Sequence, residues 1–157
     1  MREDLTNEEI AYMAGLLDGH TSFYITIRDK VHQATMMITH YDYNLVSYLK
    51  ENWGGYIEQR KNRQKCLESY HWRPVRKDML KICNLCLPYM KSRIRHAELI
   101  IEFCKTVGEK GPFIDDCTRE IREELKNELS QINNKRFKTK KQQESAHKTN
   151  IGFASKD

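Results

Sequence analysis

Two side chains that could take part in chemistry, Asp18 and His20, stand on either side of Gly19 at the end of a predicted helix. A carboxylate is the kind of ligand that hard divalent cations such as Mg²⁺ prefer, whereas a neutral imidazole nitrogen suits softer metals. The pattern therefore indicates a polar site at this helix end whose two groups differ in metal preference.

The helix that positions this site is predicted from Asn7 to Leu17, behind a capping box over Thr6–Glu9. Small Ala14 and Gly15 lie among bulkier apolar residues, so a second helix could approach this face closely. We expect Asp18-Gly19 to end the helix, since glycine takes a positive φ at a C-terminal cap without steric cost.

Two hairpins are predicted from the alternation of side chains. The first joins strands over Phe23–Arg28 and Gln33–His40 through the short link Asp29–His32, and the second joins Tyr56–Arg60 to Cys66–Trp72. Further helices are predicted from apolar spacing. They cover Leu45–Trp53, Met79–Leu87, Lys91–Val107 and Asp115–Leu129, the last with Ile121, Leu125 and Leu129 on one stripe. This order predicts an α+β fold in which helices cover one face of a four-stranded antiparallel sheet.

Composition is consistent with a nucleic-acid partner. The chain has 157 residues, a formal net charge of +5 and a pI of about 8.9. It contains no apolar run of the roughly 20 residues needed to cross a bilayer. Five cysteines, an odd number, indicate a reduced, intracellular protein. Cys83 and Cys86 lie in an apolar helical run, which favours two buried thiols over a metal half-site.

Three regions are expected along the chain: a core domain over 1–110, an amphipathic helix over 111–130 and a basic, flexible tail over 131–157. The tail has few apolar residues, which is typical of a segment that stays unfolded without a partner. Its basic residues are Lys135, Arg136, Lys138, Lys140, Lys141 and Lys148.

The segment 11–25 resembles the motif of the LAGLIDADG homing endonucleases, which ends a helix and starts a strand. A second resemblance lies in 87–103, with a Leu-Pro-aromatic turn, alternating basic residues and an amphipathic helix. Together they cover about 8–107 and imply the αββαββα fold of that family. A single motif copy implies a symmetric homodimer. Its interface would be formed by Met13, Ala14, Gly15 and Leu17.

The resemblance also implies a cleavage site, with one departure from the family. In that family a motif carboxylate from each subunit holds a divalent metal, but this chain has His20 at that position and Thr21 where a glycine usually follows. The implied catalytic residues are Asp18, His20, His40 and Arg93, with Asp18 and His20 as metal ligands. The implied cofactor is Mg²⁺ if the protein cleaves, and none otherwise.

The open face of the sheet is expected to read base edges in the major groove. On the first strand the candidates are Tyr24, Thr26 and Arg28. On the second strand they are Gln33, Thr35, Met37 and Thr39, or the residues that alternate with these. For the second hairpin two sets stay open: Glu58, Arg60, Glu68, Tyr70 and Trp72, or Gln59, Lys61, Ser69, His71 and Arg73. The basic loop with Arg60, Lys61, Arg63 and Lys65 suits phosphates at the edge of a site.

Two classes of function follow. The first is a site-specific double-stranded DNA endonuclease, by descent. The alternative is an inactive relative that binds structured RNA, as a maturase or a structural subunit of a ribonucleoprotein, or that regulates transcription. His20 and the basic tail favour the alternative, whereas the rest of the motif favours the first. No membrane partner is expected. The sequence does not distinguish a protein of an organelle from one of a phage or of the bacterial cytoplasm.

Overall fold

The computed structural model describes residues 1–62, 67–107 and 115–151, and the side chains of 1–61, 68–107 and 115–135. Five helices and four strands follow one another along these residues, with a short 3₁₀ turn, Leu87–Tyr89, between the third and fourth helices. The helices are α1 Asn7–His20, α2 Tyr43–Trp53, α3 Arg76–Cys86, α4 Ile94–Lys105 and α5 Asp116–Ile151. The strands are β1 Thr21–Arg28, β2 Val31–His40, β3 Tyr56–Asn62 and β4 Leu67–Arg73.

The strands form one antiparallel sheet in the order β1-β2-β4-β3. Helices cover one of its faces, and the core between the two layers holds fully buried Trp53, Trp72, Phe103 and Met36. Burying large aromatic and aliphatic side chains is the main stabilising contribution in such a layer structure. The predicted α+β fold is confirmed.

Helix α1 begins as predicted and ends later than predicted. Thr6 Oγ1 accepts from the Glu9 backbone N–H at 3.3 Å, and Glu9 Oε2 accepts from the Thr6 backbone N–H at 2.8 Å. The helix continues to His20, so the expected stop at Asp18-Gly19 is wrong. Its last turn is closed instead by the hydroxyl of Thr21, which donates to the Leu16 carbonyl at 3.2 Å.

Two tight connections set the sheet geometry. Asp29 and Lys30 have φ of 51° and 64°, so β1 and β2 are joined by a two-residue turn rather than the predicted four-residue link. Between α2 and β3, Gly55 has φ of 85°, and a Cβ there would lie 2.2 Å from the Arg73 carbonyl oxygen. Only glycine fits this corner, which holds β3 beside β4.

Helix α5 docks on the body through a mixed stripe. Leu125 and Leu129 are buried as predicted, but Ile121 is 42% exposed and Arg122 is buried in its place. The Arg122 guanidinium donates to Thr106 Oγ1 and to the Thr106 carbonyl, both at 2.8 Å, and lies 5.3 Å from the ring centroid of Phe103. These partners compensate the burial of its charge.

The same helix runs along the free edge of β1. Glu123 Oε2 lies 2.9 Å from Nε2 of His32, and Asn133 Nδ2 donates to the Phe23 carbonyl oxygen at 3.0 Å. Where the sequence predicted a flexible tail from Gln131, α5 continues as a helix to Ile151.

Three thiols, those of Cys83, Cys86 and Cys104, are buried and free. Burial raises the pKa of Cys86 to about 12 and that of Cys104 to about 11, so these thiols stay protonated. None of the helices within the described ranges is both long and apolar enough to cross a membrane.

Candidate nucleic-acid interface

The face of the sheet opposite the helices carries mostly polar side chains. In β1 and β2, Tyr24 lies opposite Thr35 and Thr26 lies opposite Gln33. The register continues across the centre of the sheet, where Thr39 pairs with His71. Directly opposed residues share a face of the sheet. We call the face opposite the helices the outer face. Its members are Ser22, Tyr24, Thr26, Arg28, Val31, Gln33, Thr35, Met37, Thr39, Tyr56, Glu58, Arg60, Ser69, His71 and Arg73.

Neither predicted set for the second hairpin is right as a whole. Glu58 pairs with His71, and Arg60 pairs with Ser69, so members of the two sets lie side by side on the outer face. Trp72, predicted in one set, is fully buried under the helices. Alternation along a single strand gives two faces but not which face of its neighbour matches, and the pairing register decides that.

Lys61 lies on the opposite side of the sheet from Arg60. It pairs with Glu68 across the strands, and its Nζ is 3.1 Å from Glu68 Oε1. Its prediction as part of the outer face is therefore wrong. Two further predicted phosphate contacts, Arg63 and Lys65, lie outside the described residues.

Glu58, a member of one of the two predicted sets, lies close to two arginines of the outer face. Its Oε2 is 3.5 Å from one guanidinium nitrogen of Arg73 and 3.7 Å from one of Arg60. Arg73 is only 20% exposed, so its position is well defined, whereas Arg60 extends into solvent. Burial, followed by the charges of these two arginines, lowers the pKa of neighbouring His71. His71 is therefore neutral near pH 7 and can donate or accept a hydrogen bond.

At the end of α1, the carboxylate of Asp18 is occupied by backbone groups. It accepts from the N–H groups of Lys91 at 2.6 Å, Ser92 at 3.2 Å and Arg93 at 2.9 Å. These N–H groups belong to the turn that leads into α4 at Ile94, so Asp18 fastens the end of α1 to this turn. The structure thus gives Asp18 a structural role, which differs from the predicted role as catalytic residue and metal ligand.

The two histidines of the predicted site do come together. The rings of His20 and His40 meet edge to face with centroids 5.9 Å apart. Nδ1 of His40 accepts from the Asp42 backbone N–H at 3.0 Å, so Nε2 carries the proton of the neutral ring. A protonated Nε2 donates, which suits a phosphate oxygen and not a metal ion.

Arg93 belongs to the same corner. Its backbone N–H binds Asp18, and its side-chain Nε is buried without a hydrogen-bond partner among the described residues. A buried guanidinium nitrogen without a partner is costly. The role of Arg93 near a reacting phosphate stays a prediction.

The residues predicted for a dimer interface are mostly internal. Met13, Ala14 and Leu17 are fully buried within the chain, so their prediction as interface residues is wrong. Gly15 is exposed, and nothing lies within 4 Å of a Cβ built on it. The exposed face of α1 consists of Glu8, Ala11, Tyr12, Gly15 and Gly19. We call it the α1 face.

No protein-family model matches the sequence, and no curated protein matches it significantly. The structure is similar to solved structures of homing endonucleases. I-CvuI, in complex with the I-CreI target in 2 mM Mg with the DNA not cleaved, is 14% identical with a TM-score of 0.51, over 75% of this chain and 94% of that one. The archaeal intron-encoded homing endonuclease I-Vdi141I, complexed with DNA, is 13% identical with a TM-score of 0.53, over 76% and 97%.

The meganuclease I-SmaMI, bound to uncleavable DNA, is 19% identical with a TM-score of 0.56. The match covers 81% of this chain but only 46% of that one. These likenesses show the fold. The chain has the LAGLIDADG homing-endonuclease fold that its motif predicted.

Proposed function

We propose that this chain is a site-specific DNA-binding protein of the homing-endonuclease type, which lays the outer face of its sheet in the major groove of double-stranded DNA. The outer face carries the proposal. It presents hydroxyl, amide, imidazole and guanidinium groups over four strands, which are the groups that read base edges. Arg28 and Arg60, exposed at the two ends, suit flanking phosphates.

Duplex DNA is the favoured partner. I-CvuI, I-Vdi141I and I-SmaMI, whose fold this chain shares, were each solved with DNA bound. An RNA duplex would present its bases in a deep, narrow major groove that a β-ribbon cannot enter. The RNA-binding alternative has no comparable support.

The protein acts as a dimer through the α1 face. Ala11, Gly15 and Gly19 leave this exposed helix face almost without bulk, so a second copy could pack closely. Tyr12 flanks the stripe and stacks edge to face on Tyr48 at 6.1 Å. One chain matches 46% of I-SmaMI, which agrees with two copies making up one DNA-binding unit.

The residues at the motif end do not fit Mg²⁺. The Asp18 oxygens are taken by three backbone N–H groups, and His20 and His40 offer imidazoles where an oxygen ligand is required. Within the described part of the chain, no group of three or more histidine, cysteine, aspartate or glutamate side chains is placed to hold a metal. We propose that the chain descends from site-specific endonucleases and binds its target without Mg²⁺-dependent cleavage.

A selection from random duplexes tests the proposal. Rounds of binding and amplification should enrich one partly palindromic sequence, and a footprint on it should show two-fold symmetry. Single-stranded DNA and duplex RNA of the selected sequence serve as competitors and should bind much more weakly. Absence of any enriched duplex sequence would overturn the proposed function.

A further inference from the structure

The net positive charge of this chain is concentrated in the second half of α5. Residues 135–151 contain six lysines and arginines and one glutamate, a net charge of +5. Residues 1–134 contain 20 basic and 20 acidic residues, and 152–157 add one of each. The whole formal excess of positive charge therefore lies in the second half of α5.

The sign of the net charge changes along α5, near Asn134. From Asp115 to Asn134 the segment has six acidic and three basic residues. This first half is docked by buried Leu125 and Leu129, and Asn133 donates to the Phe23 carbonyl in β1. Basic residues begin two positions later. A helix with this much positive charge and few apolar residues gains little by packing on a protein core. Its charge suits binding to a polyanion.

The direction of α5 follows from its two contacts with the first hairpin. Glu123 meets His32, which pairs with Ile27 near the turn, whereas Asn133 meets Phe23 near the start of β1. The helix thus runs antiparallel to β1. The ten residues between these contacts rise about 15 Å, close to the about 13 Å that four strand residues span.

Beyond Asn133 a straight helix extends a further 18 residues to Ile151, or about 27 Å. The first residue of β1, Thr21, is only about 7 Å beyond Phe23 along the strand. About 20 Å of basic helix therefore passes the junction of α1 and β1, where His20 and the start of the outer face lie.

We propose that residues 135–151 of α5 form a second DNA-binding element, which contacts the phosphate backbone beside the motif end and supplies most of the sequence-independent affinity. The inference rests on the proposed function, because it assigns the electrostatic part of the same complex. The outer face then discriminates sequence, with Glu58 offsetting part of its positive charge, and the basic helix supplies counterion release.

A matched pair of variants tests the element. In the first, Lys138, Lys140, Lys141 and Lys148 are changed to Gln. In the control, Lys50, Lys77, Lys81 and Lys105, which are exposed on helices covering the other face of the sheet, are changed to Gln. Both variants lose the same net charge, and glutamine keeps helix propensity. Circular dichroism checks that each is folded.

The measurement is affinity for the selected duplex and for a random duplex as a function of salt. The first variant should lower the slope of log affinity against log salt by about 3–4, and bind both duplexes at least tenfold more weakly near physiological salt. The control should change the slope by less than about one. Equal effects of the two variants, or an unchanged slope in the first, would overturn the inference.

Two further outcomes separate this inference from the proposed function. If Arg73→Ala abolishes sequence preference while the lysine variant of α5 binds like the wild type, the outer face binds DNA and only the second element is wrong. If the wild type binds duplex RNA more tightly than duplex DNA of the same sequence, both proposals fail.

Discussion

Asp18 and Arg93 are joined by a hydrogen bond of 2.9 Å from the Arg93 backbone N–H to the Asp18 carboxylate, across 75 positions of sequence. The bond ties the end of the motif helix to the start of α4. It also places Arg93, whose side-chain Nε is buried without a hydrogen-bond partner among the described residues, beside the end of α1. An acid of the motif therefore stabilises the contact between α1 and the start of α4.

In the absence of DNA and metal, Asp18→Ala should lower the free energy of unfolding by about 1–3 kcal/mol, because three backbone N–H groups lose their acceptor. Asp18→Asn, which keeps an acceptor oxygen, should cost less. Chemical denaturation measures both, with the exposed Asp4→Ala as control. A variant that keeps full stability but loses metal binding would show that Asp18 is a ligand after all.

Gly15→Leu should prevent dimer formation and leave the single chain at least as stable. Nothing surrounds Gly15 within the chain, and leucine has a higher helix propensity by about 0.5–1 kcal/mol. Light scattering at micromolar concentration should show a dimer for the wild type and a monomer for the variant. Asn84→Leu, on the exposed side of α3, is the control and should not change the mass. A wild-type monomer would contradict the proposed interface.

Arg60→Ala and Lys61→Ala should differ although the residues are adjacent. Arg60 lies on the outer face, whereas Lys61 points to the other side and pairs with Glu68. Only the first change should weaken DNA binding, with the salt slope reduced by about one. Fluorescence anisotropy titrations at several salt concentrations measure this. Similar losses of affinity in the two variants would contradict DNA binding through the outer face.

The wild type should not cleave its selected duplex in Mg²⁺. Mn²⁺ and Zn²⁺ belong in the same assay, because imidazole accepts softer metals. His20→Asp, combined with Thr21→Gly, should raise Mg²⁺ affinity, which calorimetry detects whether or not cutting returns. If the unmodified protein cuts in Mg²⁺ and His20→Ala abolishes the cutting, His20 takes part in catalysis and the proposed loss is wrong.

Stability should fall as the pH drops below about 6.5 because of His96. Burial lowers the pKa of His96 from its ordinary value of 6.5, and Asn133 partly offsets the effect. The unfolded chain therefore takes up a proton at a higher pH than the folded chain, and stability is lost between those two pKa values as the pH falls. Thermal melts from pH 7.5 to 5 should show this decrease.

His96→Asn should flatten that pH dependence. His71→Gln is tested separately, since the pKa of His71 is also lowered and contributes with the same sign. A wild-type melting temperature that does not change over this range would contradict the assignment.

The first hairpin was predictable because its pattern is local. Phe23 and Ile25 alternate with Tyr24 and Thr26, and the structure places them on the faces that alternation predicts. In the second hairpin, polar and apolar residues alternate less regularly along each strand. Only pairing with a distant strand, such as Thr39 with His71, decides which side faces outward.

The motif end shows a different limit. Its residue types predicted a polar site, and His20 does meet His40 there. The role of Asp18 depends on backbone groups more than 70 positions away, which no local pattern reveals. Arg122 is a similar case, since its burial becomes favourable only when Thr106 and Phe103 are in place.

The bond between Asn133 and Phe23 also bears on how the chain is made. An uncovered edge strand invites pairing with other chains, and α5 shields the β1 edge. Because residue 133 is translated 110 positions after residue 23, nascent chains carry this edge open until α5 has been synthesised. Chains terminated before α5 should therefore aggregate. In the full chain, β1 is the strand that a chaperone would have to protect for longest during synthesis.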